Sequence, residues 1–236
     1  MRIVSYLVLA LLLATGCGHE DVTTPSEPSS PSTSVSPPAL AEYQPTQPPE
    51  PRPQPPQTEP APPLVASARS QIGRTTIYDG AYVGLSYPGG DIDIKRGVCT
   101  DVVIRALRDA YDIDLQQLVH EDMKANFTKY PANWGLARPD KNIDHRRVPN
   151  LMTYFNRRGY SLTAGKKTRD FKPGDFIPGD LVTCTVSGNR PHIMIVSNKT
   201  SRAGVPLVIH NIGRGAVEED RLFDFPITGQ YRVKRP

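Results

Sequence analysis

The spacing of hydrophobic residues changes along this chain and divides its larger part into two halves. Between residues 64 and 159 the apolar positions recur every three or four residues, which predicts amphipathic helices. From residue 179 onwards they form short β-branched runs separated by turn residues, which predicts strands. Helices followed by antiparallel strands indicate an α+β fold, and residues 64–236 are long enough for a single core.

Four segments have helical spacing and four more have the pattern of strands. The predicted helices are VASARSQIG, the segment from Cys99 through VVIRALRDAY, LQQLVHEDMKANF and VPNLMTYFNRRG. Gly73 is expected to end the first helix, and Pro149 and Gly159 to begin and end the fourth. The predicted strands, in an antiparallel meander, are GDLVTCTV, HIMIVS, PLVIH and QYRV. Val103 follows Cys99 at i+4, so we expect the cysteine side chain to point towards the core.

Residues 1–17, MRIVSYLVLALLLATGC, have the composition of an export signal. The apolar run after Arg2 is too short to span a bilayer, which takes about 20 residues. Its small residues before Cys17 resemble a bacterial lipoprotein signal, in which this cysteine carries the lipid. We therefore predict a lipid-anchored protein of the bacterial cell envelope, and the alternative is an ordinary export signal with an incidental cysteine. Gly18 resembles the residue found in lipoproteins sorted to the outer membrane, facing the periplasm.

Residues 18–63 have the composition of a spacer. Fifteen of the 25 prolines lie between Pro25 and Pro63, mixed with Ser, Thr and Glu and with few apolar side chains. Such a segment cannot form a packed core, and polyproline II is its expected conformation. We predict a disordered tether, in preference to a PxxP ligand for an SH3-like partner.

The charge of the chain divides at the same boundary. Two of the 28 basic residues and six of the 24 acidic residues precede Leu64, which leaves a net charge of +8 on the predicted domain. A basic exported domain suits an anionic polymer such as the cell wall, or an anionic lipid surface. Nucleic acid is not a predicted partner, because the chain is exported and lacks an aromatic–basic stripe. A monomer is expected.

Cys99, in the segment GVCTD, is the candidate nucleophile. A helix start offers unpaired N–H groups and the positive end of the helix dipole, which stabilise a thiolate and an oxyanion. We expect the pKa of this thiol to fall below its ordinary value of about 8.5. The alternative is a disulfide with Cys184, since exported cysteine pairs are often oxidised. Without that bond, Cys184 is predicted to be a small core residue.

Two histidines occupy neighbouring predicted strands. His192 opens HIMIV and His210 ends VIH, so the two imidazoles lie side by side if these strands pair. We expect the pair to face the helix that carries Cys99. A thiol, a base within hydrogen-bond reach and a third group that orients the base form the site of a cysteine hydrolase. Asn211 is the alternative to His210 as the third member.

The order of these motifs resembles the NlpC-type cell-wall cysteine peptidases, a circularly permuted relative of papain. The matching segments are YPGGD before GVCTD, IPGDLVTCTV, PHIMIVS and LVIHNIG. Within that superfamily, GVCTDVVIRA, DHRRVPNL and HNIG make the chain most similar to an uncharacterised bacterial family, the YijF-like domains. The resemblance implies a papain-like fold, with the nucleophile helix packed on a small antiparallel sheet or half-barrel.

The same resemblance implies roles for individual residues. Cys99 is implied as the nucleophile, His192 as the base and His210 as the orienting residue, and Tyr87 as part of the oxyanion site. Two features depart from the family pattern. GVCTD replaces the more usual D-C-S-G, and the insertion over residues 115–147 is longer than a minimal domain needs.

Other polar residues suggest contacts with a substrate. Asp144, Arg146 and Arg147 in DHRR are candidates for binding a substrate carboxylate, and an ion-paired loop is the alternative. Asp101 is expected to cap or orient the start of the Cys99 helix. Trp134 is a candidate groove residue, although a core position is more usual for the only tryptophan in a chain.

No cofactor is predicted. His120 belongs to no HExxH motif, and no spacing in the chain requires a metal ion. A metal site formed by Asp144, His145, His192 and His210 is the alternative.

Together these features predict a tethered thiol hydrolase that cleaves amide bonds in peptidoglycan, in a stem peptide or a cross-link. Two other hypotheses stay open. One is a non-catalytic peptidoglycan-binding or scaffold lipoprotein with the same fold. The other is an acyltransferase or amidase that acts on another envelope substrate, since a fold does not fix a substrate.

Overall fold

The computed structural model describes residues 60–163 and 170–234. The predicted signal segment, Cys17 and nearly all of the predicted tether lie outside these residues. Within them, no helix is long and apolar enough to cross a membrane. The described part contains four helices and seven strands: α1 Pro63–Ser70, α2 Cys99–Tyr111, α3 Leu115–Asn126, α4 Val148–Arg157, β1 Ile77–Tyr78, β2 Arg96–Gly97, β3 Leu181–Val186, β4 Arg190–Thr200, β5 Pro206–Asn211, β6 Ala216–Glu219 and β7 Ile227–Tyr231. The predicted α+β fold is confirmed.

The main sheet has five antiparallel strands in the order β6-β5-β4-β3-β7. Strands β3 to β6 form a meander, and β7 returns to pair with β3 on the far edge. The predicted meander is therefore incomplete, because the sequence pattern did not indicate β6. The segment AVEE of β6 carries too few apolar residues to show alternation. The last strand also lies earlier than QYRV, since it begins at Ile227 and ends at Tyr231.

Each face of this sheet packs against a separate hydrophobic cluster. Ile193, Ile195 and Ile209 belong to the cluster that contains Val103 and Leu107 of α2. Side chains alternate between faces along a strand, so the intervening positions pack on the other side. The cluster on that second face includes the following residues: Phe171, Phe176, Val182, Cys184, Met194, Val196, Val208 and Leu222.

The first helix differs from its prediction at both ends. It begins at Pro63, ahead of VASARSQIG, and ends at Ser70. Gly73 adopts a left-handed φ of 78° in the turn that follows, and does not cap the helix directly. Proline is well suited to the first turn because that position needs no backbone N–H partner.

Arg105 holds the irregular segment that precedes α2. Its side chain is only 4% exposed and reaches out of the helix into that segment. The guanidinium donates to both carboxylate oxygens of Asp91, at 2.8 and 3.0 Å, and to the Thr75 hydroxyl at 3.1 Å. It also donates to the carbonyl oxygens of Ile92, Asp93 and Arg96. One buried cation thus ties several carbonyl groups of the segment before α2 to the helix.

Leu107→Ala should lower the free energy of unfolding by about 2–5 kcal/mol, because it leaves a cavity in the α2 core. Leu107 is fully buried, whereas Leu118 on α3 is 36% exposed. Leu118→Ala is the matched control and should change stability by less than about 0.5 kcal/mol. Urea unfolding of the full chain checks both values. Equal losses for the two variants would contradict the core described above.

Candidate functional site

A two-residue parallel ladder sets the position where α2 begins. β1 pairs with β2 so that Tyr78 lies opposite Gly97, two residues before Cys99. A side chain at Gly97 would lie 3.2 Å from Cβ of Asp101 and 3.3 Å from a guanidinium nitrogen of Arg105. Glycine at this position therefore lets the backbone approach α2 closely. The consequence is that Tyr78 is brought beside the first turn of the helix.

Asp101 joins the start of α2 to the segment before α4. Its carboxylate accepts a hydrogen bond of 2.6 Å from the amide of Val98 and a bidentate pair from Arg146 at 2.9 and 3.0 Å. Both side chains of this ion pair are almost fully buried. Arg146 also donates to the carbonyl oxygens of Asp79 and Ala81. Its donors are thus used within the protein, which leaves Arg147 as the guanidinium of DHRR that lies nearer to solvent.

Cys99 is a buried, free thiol, and so is Cys184, so the alternative disulfide is not formed. Burial raises the pKa of the Cys99 thiol to about 11. Hydrogen bonds from the backbone amides of Ile193, Thr100 and Cys99 lower that pKa, and the Asp101 carboxylate raises it. The expected fall in the thiol pKa therefore does not occur, because burial outweighs the amides at the helix start.

A cavity of about 380 Å³ opens beside Cys99. Its walls include Tyr78, Trp134, Arg147 and Pro191. Tyr78 and Pro191 also line a smaller cavity of about 160 Å³ that contains His192. The cavity beside the thiol and the cavity beside His192 therefore share Tyr78 and Pro191 as lining residues.

The two histidines of the sheet lie side by side, as the sequence predicts. Nε2 of His192 and Nδ1 of His210 are 2.8 Å apart, and Nε2 of His210 lies 3.0 Å from Oε1 of Glu219. Burial, followed by the charge of His210, lowers the pKa of His192 to about 3. Burial also lowers the pKa of His210, although Glu219 acts in the opposite direction. Both imidazoles are therefore neutral near pH 7.

The direction in which the histidines point differs from the expectation. They share their sheet face with Met194 and Val208, on the side opposite to α2. Strands β4 and β5 pair at Ile195–Ile209, Val196–Val208 and Thr200–Pro206, so the two histidines lie beyond the end of this pairing. Cys99 lies on the helix side, against the backbone amide of Ile193. Among the described residues, no hydrogen bond joins the thiol to either imidazole.

Asn211 and Tyr87 lie away from the imidazole pair. The Asn211 side chain donates to the carbonyl oxygen of Gly97 at 2.9 Å and accepts from the amides of Gly213 and Gly215. It therefore fixes the end of β5 against the segment before Cys99, and the contact with His192 is made by His210. The Tyr87 ring packs edge-on against His120, with centroids 5.3 Å apart, and does not line the Cys99 cavity.

Tyr78 is a site residue that sequence reasoning missed. Its pKa is raised by burial and by the neighbouring Cys99, so it is a neutral phenol beside the thiol. It lies in the segment TTIYDGAY, which contains turn residues and no alternation to mark a strand. The parallel pairing with β2 brings it to the site, and no local pattern in the sequence indicated that pairing.

The insertion over residues 115–147 supplies the wall of the cavity. The guanidinium of Arg147 lies 4.0 Å from the ring centroid of Trp134, and the indole is 37% exposed. Trp134 is thus a groove residue and not a core anchor. Asp144 is buried; its carboxylate pairs with Arg147 at 3.3 Å and accepts from the amide of Asp140. In the described ranges, no three His, Cys, Asp or Glu side chains are grouped so that they could hold a metal ion.

Alkylation of Cys99 should be slow at neutral pH, because only the thiolate reacts and burial raises the thiol pKa to about 11. At pH 7 the rate should be at least roughly 100-fold below that of an unperturbed cysteine of pKa about 8.5. It should rise by about tenfold for each pH unit between 7 and 9.5. Iodoacetamide labelling of the full chain, with the modified cysteine identified by mass spectrometry, measures this rate. A plateau below pH 9 would show that the thiolate is far more stable than the burial of Cys99 implies.

Comparison with known proteins identifies the family of this chain. Residues 65–233 match the family described as "Domain of unknown function (DUF1287)". The uncharacterized protein YijF of Escherichia coli (strain K12) is 54% identical over 169 residues, which cover 72% of this chain and 80% of YijF. The predicted membership of a YijF-like family is confirmed, and this chain belongs to the DUF1287 family.

Proposed function

We propose that this chain is a cysteine hydrolase of the NlpC type, with a papain-like fold, which cleaves amide bonds in peptidoglycan. One observation carries the proposal. The thiol at the start of α2 contacts the backbone amide of Ile193, the residue next to His192, and the neutral imidazole of His192 is hydrogen-bonded to that of His210. The cavity of about 380 Å³ beside the thiol gives room for part of a polymeric substrate.

The proposed route for the proton is short. A thiol that is hydrogen-bonded to the Ile193 amide lies within roughly 6 Å of Cα of His192, since that amide is two bonds away from this Cα. An imidazole extends far enough from its Cα to meet a thiol at this distance. The proposed transfer therefore requires Nδ1 of His192 to approach the thiol while Nε2 keeps its contact with His210.

The proposed reaction has two stages. The sulfur of Cys99 attacks the substrate carbonyl carbon while His192 takes the thiol proton, and the resulting oxyanion is stabilised by hydrogen-bond donors. The C–N bond then breaks, and the leaving amine takes the proton from His192. A water molecule subsequently attacks the thioester, giving its proton through His192 to the departing sulfur. The products are an amine, a carboxylic acid and the free thiol.

The neutral resting state is compatible with this reaction. Cys99 is protonated and His192 is unprotonated near pH 7, because burial disfavours both charged forms. The proton therefore moves as the carbon–sulfur bond forms, and no stable ion pair is needed beforehand. The amides at the start of α2 and the hydroxyl of Tyr78 are the donors available to the oxyanion.

The charge of the chain supports an anionic substrate. Arg147 lines the Cys99 cavity as a cation held flat against Trp134, and the predicted domain has a net charge of +8. Peptidoglycan stem peptides carry free carboxylates. The export signal, the lipid at Cys17 and the proline-rich tether predicted from the sequence would hold the domain within reach of the wall.

The second candidate function is a non-catalytic wall-binding or scaffold protein. Two observations favour it: the high pKa of the Cys99 thiol, and its hydrogen bonds to backbone amides in place of an imidazole. A binder would use Arg147 and Trp134 without any reaction at the thiol. In this candidate function the cavity binds the wall polymer and no bond is cleaved.

Cys99→Ala should reduce the release of soluble fragments from purified sacculi to the background rate, because it removes the nucleophile. Cys184→Ala is the control, since it changes the other buried cysteine of the domain and should retain most of the activity. Mass spectrometry of the products from the full chain identifies the bond that is cut. Equal release of soluble fragments by Cys99→Ala and by the unchanged protein would contradict the hydrolase proposal. Binding of sacculi without any release would support the scaffold.

Tyr78→Phe should lower kcat by roughly 100-fold, since removal of one oxyanion donor has an effect of this size. Tyr87→Phe removes the same hydroxyl from a ring that does not line the Cys99 cavity, and should leave kcat within about twofold. The two variants are compared on the fragments identified above, with thermal unfolding as a check on folding. A larger loss of kcat for Tyr87→Phe would indicate that Tyr87, as the family resemblance implies, is the oxyanion donor.

A further inference from the structure

The series of hydrogen bonds that joins His192 to His210 continues beyond His210. His192 and His210 are 3% and 1% exposed, and Glu219 on β6 closes the chain on the side away from the thiol. β6 pairs with β5 so that Glu219 is the diagonal neighbour of His210, two residues beyond its direct partner Val217. The Glu219 carboxylate also lies 3.2 Å from Arg214 and 3.3 Å from Arg221. Its position is therefore fixed by backbone pairing and by two ion pairs.

The carboxylate decides which nitrogen of His210 carries the proton. A carboxylate accepts hydrogen bonds and donates none, so Nε2 of His210 must be the donor in the 3.0 Å contact with Glu219. A neutral imidazole carries one N–H. Nδ1 of His210 is therefore unprotonated and can only accept a hydrogen bond.

The same reasoning applies to His192. Its Nε2 lies 2.8 Å from Nδ1 of His210, so Nε2 must donate in this contact. Burial keeps His192 neutral near pH 7, because it lowers the pKa to about 3. Nδ1 of His192 is therefore left with its lone pair free, and among the described residues no hydrogen bond is made to this atom.

We propose that Glu219 is a positioning residue that sets the tautomers of both histidines and makes Nδ1 of His192 the basic atom of the site. This role lies beyond the Cys–His–His set, and its importance for catalysis rests on the proposed function. The tautomers themselves do not depend on that function. Without the carboxylate the hydrogen bond between the two histidines could run in either direction, and the reversed direction would place a proton on Nδ1 of His192. A proton at that atom would prevent it from accepting another from the thiol.

The tautomers can be observed directly in the full chain labelled with ¹⁵N-histidine. Two-bond ¹H–¹⁵N correlation spectra at pH 7 distinguish imidazoles protonated at Nε2 from those protonated at Nδ1. The unchanged protein should show His192 and His210 protonated at Nε2 alone. Glu219→Met keeps the length of the side chain without its acceptor, and it should add signals from the Nδ1-protonated forms. Glu121→Met is the control, because Glu121 lies on α3 and does not contact either histidine.

Activity on sacculi gives a second readout. Glu219→Met should lower kcat by at least about tenfold with little change in KM, since a misplaced proton impairs the base and not the binding of substrate. Nδ1-protonated His192 in the unchanged protein, or unchanged tautomers in folded Glu219→Met, would overturn the proposal. If Glu219→Met fails to fold, the spectrum of the unchanged protein decides alone. If the tautomers are as predicted but the protein cleaves no sacculi, the positioning role of Glu219 is supported and the proposed hydrolase function is contradicted.

Discussion

The buried ion pair between Asp101 and Arg146 is the contact on which the rest of the site depends. Removal of one partner from such a pair typically destabilises a protein by about 3–5 kcal/mol, because it leaves a buried charge unpaired. The pair closes the first turn of α2 through the Val98 amide and holds Arg146 beside the carbonyl oxygens of Asp79 and Ala81. A single contact thereby brings together Cys99, the strand that carries Tyr78 and the segment that carries Arg147.

The end of the β4–β5 pairing is the second constraint. The last pair on the side of the histidines is Ile195–Ile209, so neither His192 nor Ile193 is paired with a residue of β5. Beyond that point the backbone amide of Ile193 is free to meet the thiol. The two imidazoles are hydrogen-bonded to each other on the opposite face of the sheet. The helix and the sheet thus contribute their polar groups at one point, while their apolar residues form the two clusters on either side.

The fold was predictable where the determining pattern is local. Helical spacing marked α2 and α4, because apolar residues recur every three or four positions on a packed helix. Short β-branched runs marked β3, β4 and β5, because these strands are buried on both faces of the sheet. β6 escaped prediction because its short segment has little apolar character. The pairing of β7 with β3 joins residues that are far apart in sequence, so no spacing rule indicates it.

The sequence by itself determined the elements of the site: a cysteine at a helix start, two histidines on adjacent strands and a cationic insertion. Only the tertiary structure decided their chemistry. Burial depends on every segment that packs around a group, and it gave the thiol a raised pKa where the helix start alone predicts a lowered one. The neighbours Tyr78 and Glu219 were likewise set by strand pairing, because neither β1 nor β6 has an apolar pattern that marks it as a strand in the sequence.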